Sequence, residues 1–341
     1  MELKELGEFE LTKLIHALVD KFKNPEQPSE QQILVGIGDD AAAWQSNNRI
    51  QIATTDTLVQ DVHFDLSTST WQELGWKALA VNLSDIAAMG GVPQYALVSL
   101  SLPGEVEVED ISRFTEGMAR LASEFEVTII GGNLTAASII VITVTLTGCS
   151  QGKFLKRSTA RSGEYIAVTG YLGTSAAGLR MLQKKLTLNA EANKLLRQAH
   201  LQPTPRVKEG QILVQQGVKT AIDISDGLIA DLDHVCEASK LNARIKWEQV
   251  PVHYIVKANF PDYQELALHG GEDYEILFTA NKNTIDKIRQ NIDCQVTIIG
   301  EITEETLPDR VTVVDNEGNI IPYKGEGWEH FRNGTFKAKF A

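Results

Sequence analysis

The chain is predicted to be an α+β protein of two domains, and three observations carry that reading. Its 341 residues are enough for two cores of ordinary size. Strand-like and helical patterns are mixed along it, without the strict strand–helix–strand alternation of a doubly wound sheet. A polar stretch, SQGKFLKRSTARSG over 150–163, separates two halves that each hold both kinds of pattern. The expected domains are therefore 1–150 and 151–341.

Leu11, Leu14, Ile15, Leu18 and Val19 repeat at helical spacing and predict an amphipathic helix. GIGDD, over 36–40, reads as a tight turn. Runs rich in β-branched residues predict strands at 50–59, 95–103, 126–132 and 138–148, with helical patterns at about 72–90 and 109–125. In the second half, strands are expected at 164–173, 219–228, 272–280 and 294–302, with helices between them. A closing hairpin is expected over 310–323, turning at Asn316-Glu317-Gly318.

The balance of charge is acidic, 45 Asp and Glu against 32 Lys and Arg, a formal charge of −13. Phosphate-backbone binding needs a basic footprint, so nucleic acid is excluded as a partner. Anionic small substrates are not, because a bound metal reverses the local sign. Cys149, Cys236 and Cys294 have no metal-type spacing and argue for a reducing compartment. The start lacks a basic segment followed by an apolar block, and no run nears the roughly 20 apolar residues of a membrane span. A cytoplasmic protein without a membrane partner is expected.

The informative residues are acids set among small and apolar neighbours. Asp39 and Asp40 follow GIG, Asp56 sits in TTDT, and Asp85 shares a helix face with Asn82 three residues before it. In AIDISDGL, Asp223 and Ser225 alternate onto one side of a predicted strand, and Asp226-Gly227 opens the next helix. Alone, Asp39 and Asp40 have a plain explanation as turn formers, Asp226 as a helix cap and Asp56 as an edge-strand polar residue, whereas Asp85, among Leu83, Ile86, Ala87 and Ala88, is harder to explain in that way. Gathered together they would not be stable as they stand: two carboxylates 4 Å apart repel by about 4 kcal/mol at an effective dielectric of 20. Hard oxygen ligands without a His/Cys set point to Mg²⁺, which favours phosphate oxygens as further partners.

Glycine turns at IIGGN (129–133), TGYLGTSAAGL (169–179) and HGGEDYE (269–275) can bind anions through backbone amides, but no P-loop and no GxGxxG is present. Arg157 and Arg161 are candidates for phosphate contact. DLDHV, at 231–235, matches the pattern of aspartate-nucleophile phosphatases, yet Asp231 falls one turn inside a predicted helix rather than at a strand end.

GIGDDAA, TTDTLVQDVHF, KALAVNLSDIAAMGG, IIGGN, VTGYLGTSAAGL, AIDISDGLIADL, GGEDYEILFT and GWEHF occur in this order between about residues 7 and 331. Together they resemble the thiamine-monophosphate kinase family, within the superfamily of aminoimidazole ribonucleotide synthetase and selenophosphate synthetase. The resemblance implies two α+β domains, a homodimer formed through N-terminal strands, and transfer of the γ-phosphoryl group of ATP to thiamine monophosphate, giving thiamine diphosphate. Carried over by motif, Asp40, Thr54, Thr55, Asp56, Asp85, Asp223 and Asp226 are the expected shell of several Mg²⁺ ions, with Asp39 supporting the turn beside them. Gly131, Gly132, Arg157 and Ser225 are expected to contact ATP, and His63, Glu272 and Trp328 the substrate.

Donor and acceptor are both phosphates, so the nucleophile is already an oxyanion and no catalytic base is assigned. The family typically reads GGDTT followed by arginine, where this chain has GGNLTAA over 131–137. Asn133 thus stands where an acid is expected to bind magnesium, and an amide oxygen ligates without adding charge. The resemblance therefore implies a working kinase with one magnesium held more weakly. Competing readings are another ATP-dependent synthetase of the superfamily, a nucleotide-binding regulator without catalysis, and a metal-dependent phosphatase. Selenophosphate synthetase is disfavoured, because Cys149 is the first cysteine and no reactive one precedes it.

Overall fold

A computed structural model describes residues 33–35, 39–46 and 49–323. The expected helix at 11–19, residues 36–38 of the GIG turn and Trp328 lie outside the described residues. The described residues form two compact units, one holding those up to Ile86 with Val92–Lys153, the other Ala87–Gly91 with those from Phe154 onward.

The first unit is a six-stranded sheet carrying two helices. Its elements are β1 (Ile33–Val35), β2 (Ala42–Ser46), β3 (Arg49–Val59), α1 (Trp71–Ala88), β4 (Val92–Leu102), α2 (Val108–Glu124), β5 (Thr128–Ala136) and β6 (Val141–Ser150). The strand order is β1-β2-β3-β6-β4-β5. Every pair is antiparallel except β4–β5, whose parallel register follows from the α2 crossover between them. Ile142, Val144 and Leu146 alternate inward along β6, the period-2 signature of a sheet buried on one face. Phe114, Met118, Leu121 and Ala122 form the buried stripe of α2. The two helices touch backbone to backbone: a Cβ on Gly75 would lie 1.9 Å from the Phe114 carbonyl oxygen, and one on Gly117 would lie 1.9 Å from that of Gln72.

The second unit is another six-stranded sheet, in the order β12-β9-β11-β7-β10-β8. Its strands are β7 (Tyr165–Thr169), β8 (Thr220–Asp223), β9 (Asn242–Lys246), β10 (Ile276–Ala280), β11 (Val296–Thr303) and β12 (Val311–Val314). Its helices are α3 (Thr174–Gln183), α4 (Ala190–Leu201), α5 (Val207–Gln215), α6 (Leu228–Ser239), α7 (Tyr254–Asn259), α8 (Tyr263–His269) and α9 (Lys282–Arg289). Asn189 and Asn281 start α4 and α9 by accepting amides three residues on, from Ala192 and Thr284. Strands β8 and β10 are buried along their whole length, including the polar Thr220, Asp223 and Thr279.

The α+β reading holds, and the differences are local. β1 and β2 were not anticipated, because Ala41-Ala42-Ala43 has no alternation to read, although Ala43 is fully buried against β3. β5 does not end at its glycines: Gly131, Gly132 and Asn133 sit inside the strand, opposite Leu97, Val98 and Ser99. β8 ends at Asp223, so Ser225 is not on a strand. Backbone bonds do continue there, from Ile224 N–H to Glu275 O (2.8 Å) and from Tyr274 N–H to Ile224 O (2.9 Å). However, Glu272 and Tyr274 have φ of 68° and 51°, outside the extended region that a ladder needs. The expected closing hairpin keeps only β12 and one bridge, Val314 to Ile320. Its turn is held by Asp315, whose Oδ1 accepts the amides of Glu317 and Asn319 at 2.9 and 2.8 Å.

Candidate functional site: two acidic sets

In the first unit the pleat of β3 does the sorting. Thr54 and Asp56 lie on the face shared with buried Ile50, Ile52 and Leu58, whereas Thr55 faces the other way. The Thr55 hydroxyl bonds to Val144 O at 3.1 Å and to the Thr145 hydroxyl at 3.0 Å, one rung of an outer threonine row that also pairs Thr57 with Thr143. Thr54 donates its hydroxyl to Asp85 Oδ2 at 2.5 Å, with Asp40 O at 3.5 Å. Asp39 Oδ1 accepts the Asp40 amide at 3.1 Å. Asp40 and Asp85 each offer a carboxylate oxygen within 4.8 Å of the other's.

Asp40 is 8% exposed, so two carboxylates this close repel by on the order of 3 kcal/mol at an effective dielectric of 20. A further detail fits a cation. Asn82, one turn before Asp85 and fully buried, donates from Nδ2 to Ala78 O at 3.2 Å, but its Oδ1 has no hydrogen-bond donor among the described residues. A buried carbonyl-type oxygen beside a carboxylate is the donor chemistry that Mg²⁺ takes. The sequence had marked Asn82 only as sharing the face of Asp85.

His63 belongs to this unit, in the turn after β3, and its Nδ1 accepts the Val59 amide at 3.1 Å, which leaves the ring proton on Nε2. Gly131, Gly132 and Asn133 are exposed along the edge strand β5.

In the second unit Asp223 ends β8, 3% exposed, and Ser225 and Asp226 follow in the bend before α6. The residue that organises this bend is Asp231. Its Oδ2 accepts three consecutive amides, from Ser225 (3.1 Å), Asp226 (3.1 Å) and Gly227 (3.0 Å). Burial, with Asp226 and Asp223 nearby, pushes the Asp231 carboxyl well above the usual range, and Arg157 opposes that shift. Arg157 therefore stands close to this acidic set. It lies in a short 3-10 turn whose Arg157 carbonyl accepts the Ser239 hydroxyl at 2.9 Å. Arg161, by contrast, is exposed.

Gly227 is the N-cap of α6, with φ of 117°, and a Cβ there would meet the His269 backbone at 2.9 Å. Asp226 is thus not the cap that the sequence also allowed. Asp231, noticed only for a phosphatase pattern, lies in the first turn of α6 with its carboxylate committed to amides, which removes it as a nucleophile candidate.

In the GGEDYE segment Glu272, Tyr274 and Glu275 are buried. Glu272 is 5% exposed, with Oε2 3.5 Å from His200 Nδ1, a nitrogen that also meets the Ser175 hydroxyl at 3.1 Å. Asp273 accepts the amides of Gly173 (2.6 Å) and Ser175 (3.0 Å) at the start of α3. Burial nonetheless pushes it up to about 7. Glu275 takes two bonds from Arg206, both 2.6 Å, and one from Thr169 at 2.6 Å. Burial works against the Arg206 charge, but the Glu275 carboxylate outweighs it and raises the guanidinium above its ordinary value.

Among the described residues no helix is long and apolar enough to cross a membrane. Residues 38–150 match the N-terminal domain, and 161–311 the C-terminal domain, of AIR synthase related proteins. The thiamine-monophosphate kinase of Buchnera aphidicola subsp. Schizaphis graminum is 37% identical, over 96% of this chain and 99% of the relative. That of Bacillus subtilis is 35% identical, over 94% and 98%. Among solved structures, AaThiL complexed with AMPPCP and TMP superposes with a TM-score of 0.83 at 34% identity, covering 97% of this chain and 99% of that one.

Proposed function

Because the chain belongs to the thiamine-monophosphate kinase family, we propose that it transfers the γ-phosphoryl group of ATP to the phosphate of thiamine monophosphate, giving thiamine diphosphate and ADP. The observation that carries this reading is the Asp40–Asp85 pair, two carboxylates within 4.8 Å with Thr54 bonded to one of them. Such a pair calls for a cation, and a relative of this fold is solved with AMPPCP and TMP.

In the first unit Asp40, Thr54, Asp56 and Asp85 are proposed magnesium ligands, with Asn133 as a neutral one; in the second unit Asp223 and Asp226 are. Thr55, expected in the same shell, turns its hydroxyl to Val144 O and Thr145 on the other face of β3 and is not among these proposed ligands. Magnesium would supply charge neutralisation for the phosphates in transit. The residues hold and orient: the backbone of Gly131 and Gly132 and the side chains of Ser225 and Arg157 meet ATP, and His63, Glu272 and Trp328 meet thiamine monophosphate. No residue need remove a proton, since the attacking phosphate oxygen is already charged. Transfer in line then depends on positioning and on the charge around the phosphates. Tyr95, Leu97, Ile130 and Leu134, exposed at 48, 45, 57 and 74% on β4 and β5, support pairing of two copies as a homodimer. Light scattering of the purified protein tests that pairing.

The deciding assay supplies ATP, Mg²⁺ and thiamine monophosphate to purified protein. ADP and thiamine diphosphate should appear in equal amounts. Nucleotide binding without turnover would favour a regulator, and release of inorganic phosphate from thiamine monophosphate without ATP would favour a phosphatase.

A further inference from the structure

We propose that Asp231 is a positioning residue for the proposed kinase reaction: by accepting three consecutive backbone amides it fixes the segment that presents Ser225 and Asp226. The inference rests on the reading that these two side chains meet the nucleotide and magnesium, and adds a residue that touches neither.

The geometry is that of one atom setting three residues. Asp231 is 2% exposed, and its Oδ2 lies 3.0–3.1 Å from the amide nitrogens of Ser225, Asp226 and Gly227. The opposite side of the segment is fixed as well. Ile224 O accepts the Tyr274 amide at 2.9 Å, and Ser225 O accepts the Glu272 amide at 2.8 Å. Asp231 N–H returns to Gly227 O at 3.0 Å, closing the first turn of α6. The amides of Ser225, Asp226 and Gly227 therefore have partners inside the protein, and the segment needs no ligand to hold its shape.

This arrangement differs from a strand–loop–helix phosphate cradle, in which the same amides at a helix N-terminus bind the anion. Here a carboxylate of the chain occupies them, in the favourable field of the helix start. What remains for a ligand is the side chains of the bend. Losing the acceptor would free three amides to turn toward water and let Ser225 and Asp226 swing, leaving the rest of the sheet in place.

The test compares Asp231→Ala, Asp231→Asn and Asp231→Glu with the unaltered chain. Asparagine retains an oxygen that can accept the same amides, whereas glutamate retains the charge but moves the oxygen by a methylene. For Asp231→Ala we expect the KM for MgATP and the Mg²⁺ concentration for half-maximal rate to rise at least tenfold, with the KM for thiamine monophosphate within twofold. Asp231→Asn should recover most of that loss, and Asp231→Glu should not. Hydrogen exchange read on peptides covering 224–228, without any ligand, should show protection in the unaltered chain and in Asp231→Asn, lost in Asp231→Ala. If Asp231→Ala does not fold, the contrast between Asn and Glu carries the same test.

Kinetics and exchange of Asp231→Ala indistinguishable from the unaltered chain would overturn the proposal. So would Asp231→Asn failing while Asp231→Glu keeps its function, since charge rather than hydrogen-bond acceptance would then be what matters. If the unaltered chain makes no thiamine diphosphate, the kinase reading fails. The exchange measurement then still decides whether Asp231 holds the segment.

Discussion

The two acidic sets solve opposite problems. In the first unit, Asp40, in the bend before β2, and Asp85, on α1, bring carboxylate oxygens within 4.8 Å, where like charges repel. In the second, Asp231 is cohesive: it gathers amides and builds the bend on which Asp226 rides. An acid that works against its neighbours suggests a bound cation, and an acid that satisfies its neighbours is part of the frame. The two kinds should part company under substitution, function falling in both cases but stability moving in opposite directions.

The largest expected effect is on the repulsive pair. Asp85→Asn retains an oxygen for the Thr54 hydroxyl but removes a charge. It should lower kcat/KM by about 10²–10³, equivalent to about 3–4 kcal/mol of transition-state stabilisation. In EDTA, the same variant should melt no lower than the unaltered chain, and a few degrees higher if the repulsion is relieved. A melting temperature lower by several degrees would break the contrast.

Asp273 extends the comparison to pH. Its native carboxyl lies at about 7, raised by burial above the ordinary value of an unfolded chain. The folded protein therefore holds a proton that the unfolded one has lost between about pH 4 and 7. From this group, stability is greatest below that window, falls as pH rises through it, and levels off above it. Between pH 5 and pH 8 the contribution should amount to about 2–3 kcal/mol. Urea unfolding at both values should show that fall in the unaltered chain and lose it in Asp273→Asn. Equal slopes in the two proteins would mean that Asp273 is charged at pH 5.

Smaller effects sharpen the first set. Thr54→Val removes the hydroxyl on Asp85 while keeping the β-branched shape, and should cost about tenfold in kcat/KM and about 1 kcal/mol of stability. Asn133→Asp should lower the Mg²⁺ concentration for half-maximal rate severalfold, measured by titrating Mg²⁺ at fixed ATP. An unchanged titration would remove Asn133 from the ligand set.

The sequence made the long elements legible because their periods are unbroken. The alternation over 50–59 became Arg49–Val59, and the apolar periodicity over 72–90 became Trp71–Ala88. It also put Thr54, Asp56 and Asp85 on one short list, and in the fold Thr54 meets Asp85. What it could not give was direction within a motif. Neighbouring threonines read alike, yet the pleat sends Thr54 inward and Thr55 outward. The role of Asp231 was hidden for another reason. Its partners are main-chain amides, which carry no letter in the sequence, and the one available signal was an acid in the first turn of a helix opened by Asp-Gly. Asn82 was on the right face, but an unmatched oxygen is visible only once every donor around it has been placed.

The close crossing of α1 and α2, Gly75 against the Phe114 carbonyl and Gly117 against that of Gln72, has a mechanical corollary for Asp85. Ten residues of rigid helix, about 15 Å, join the glycine to the acid. A methyl group at either contact would act as a shim under one end of a lever, displacing the rod by on the order of 1 Å in a close-packed interior. The alignment of that carboxylate is thus calibrated from a distance, by the absence of two side chains at a crossing that has no chemistry of its own.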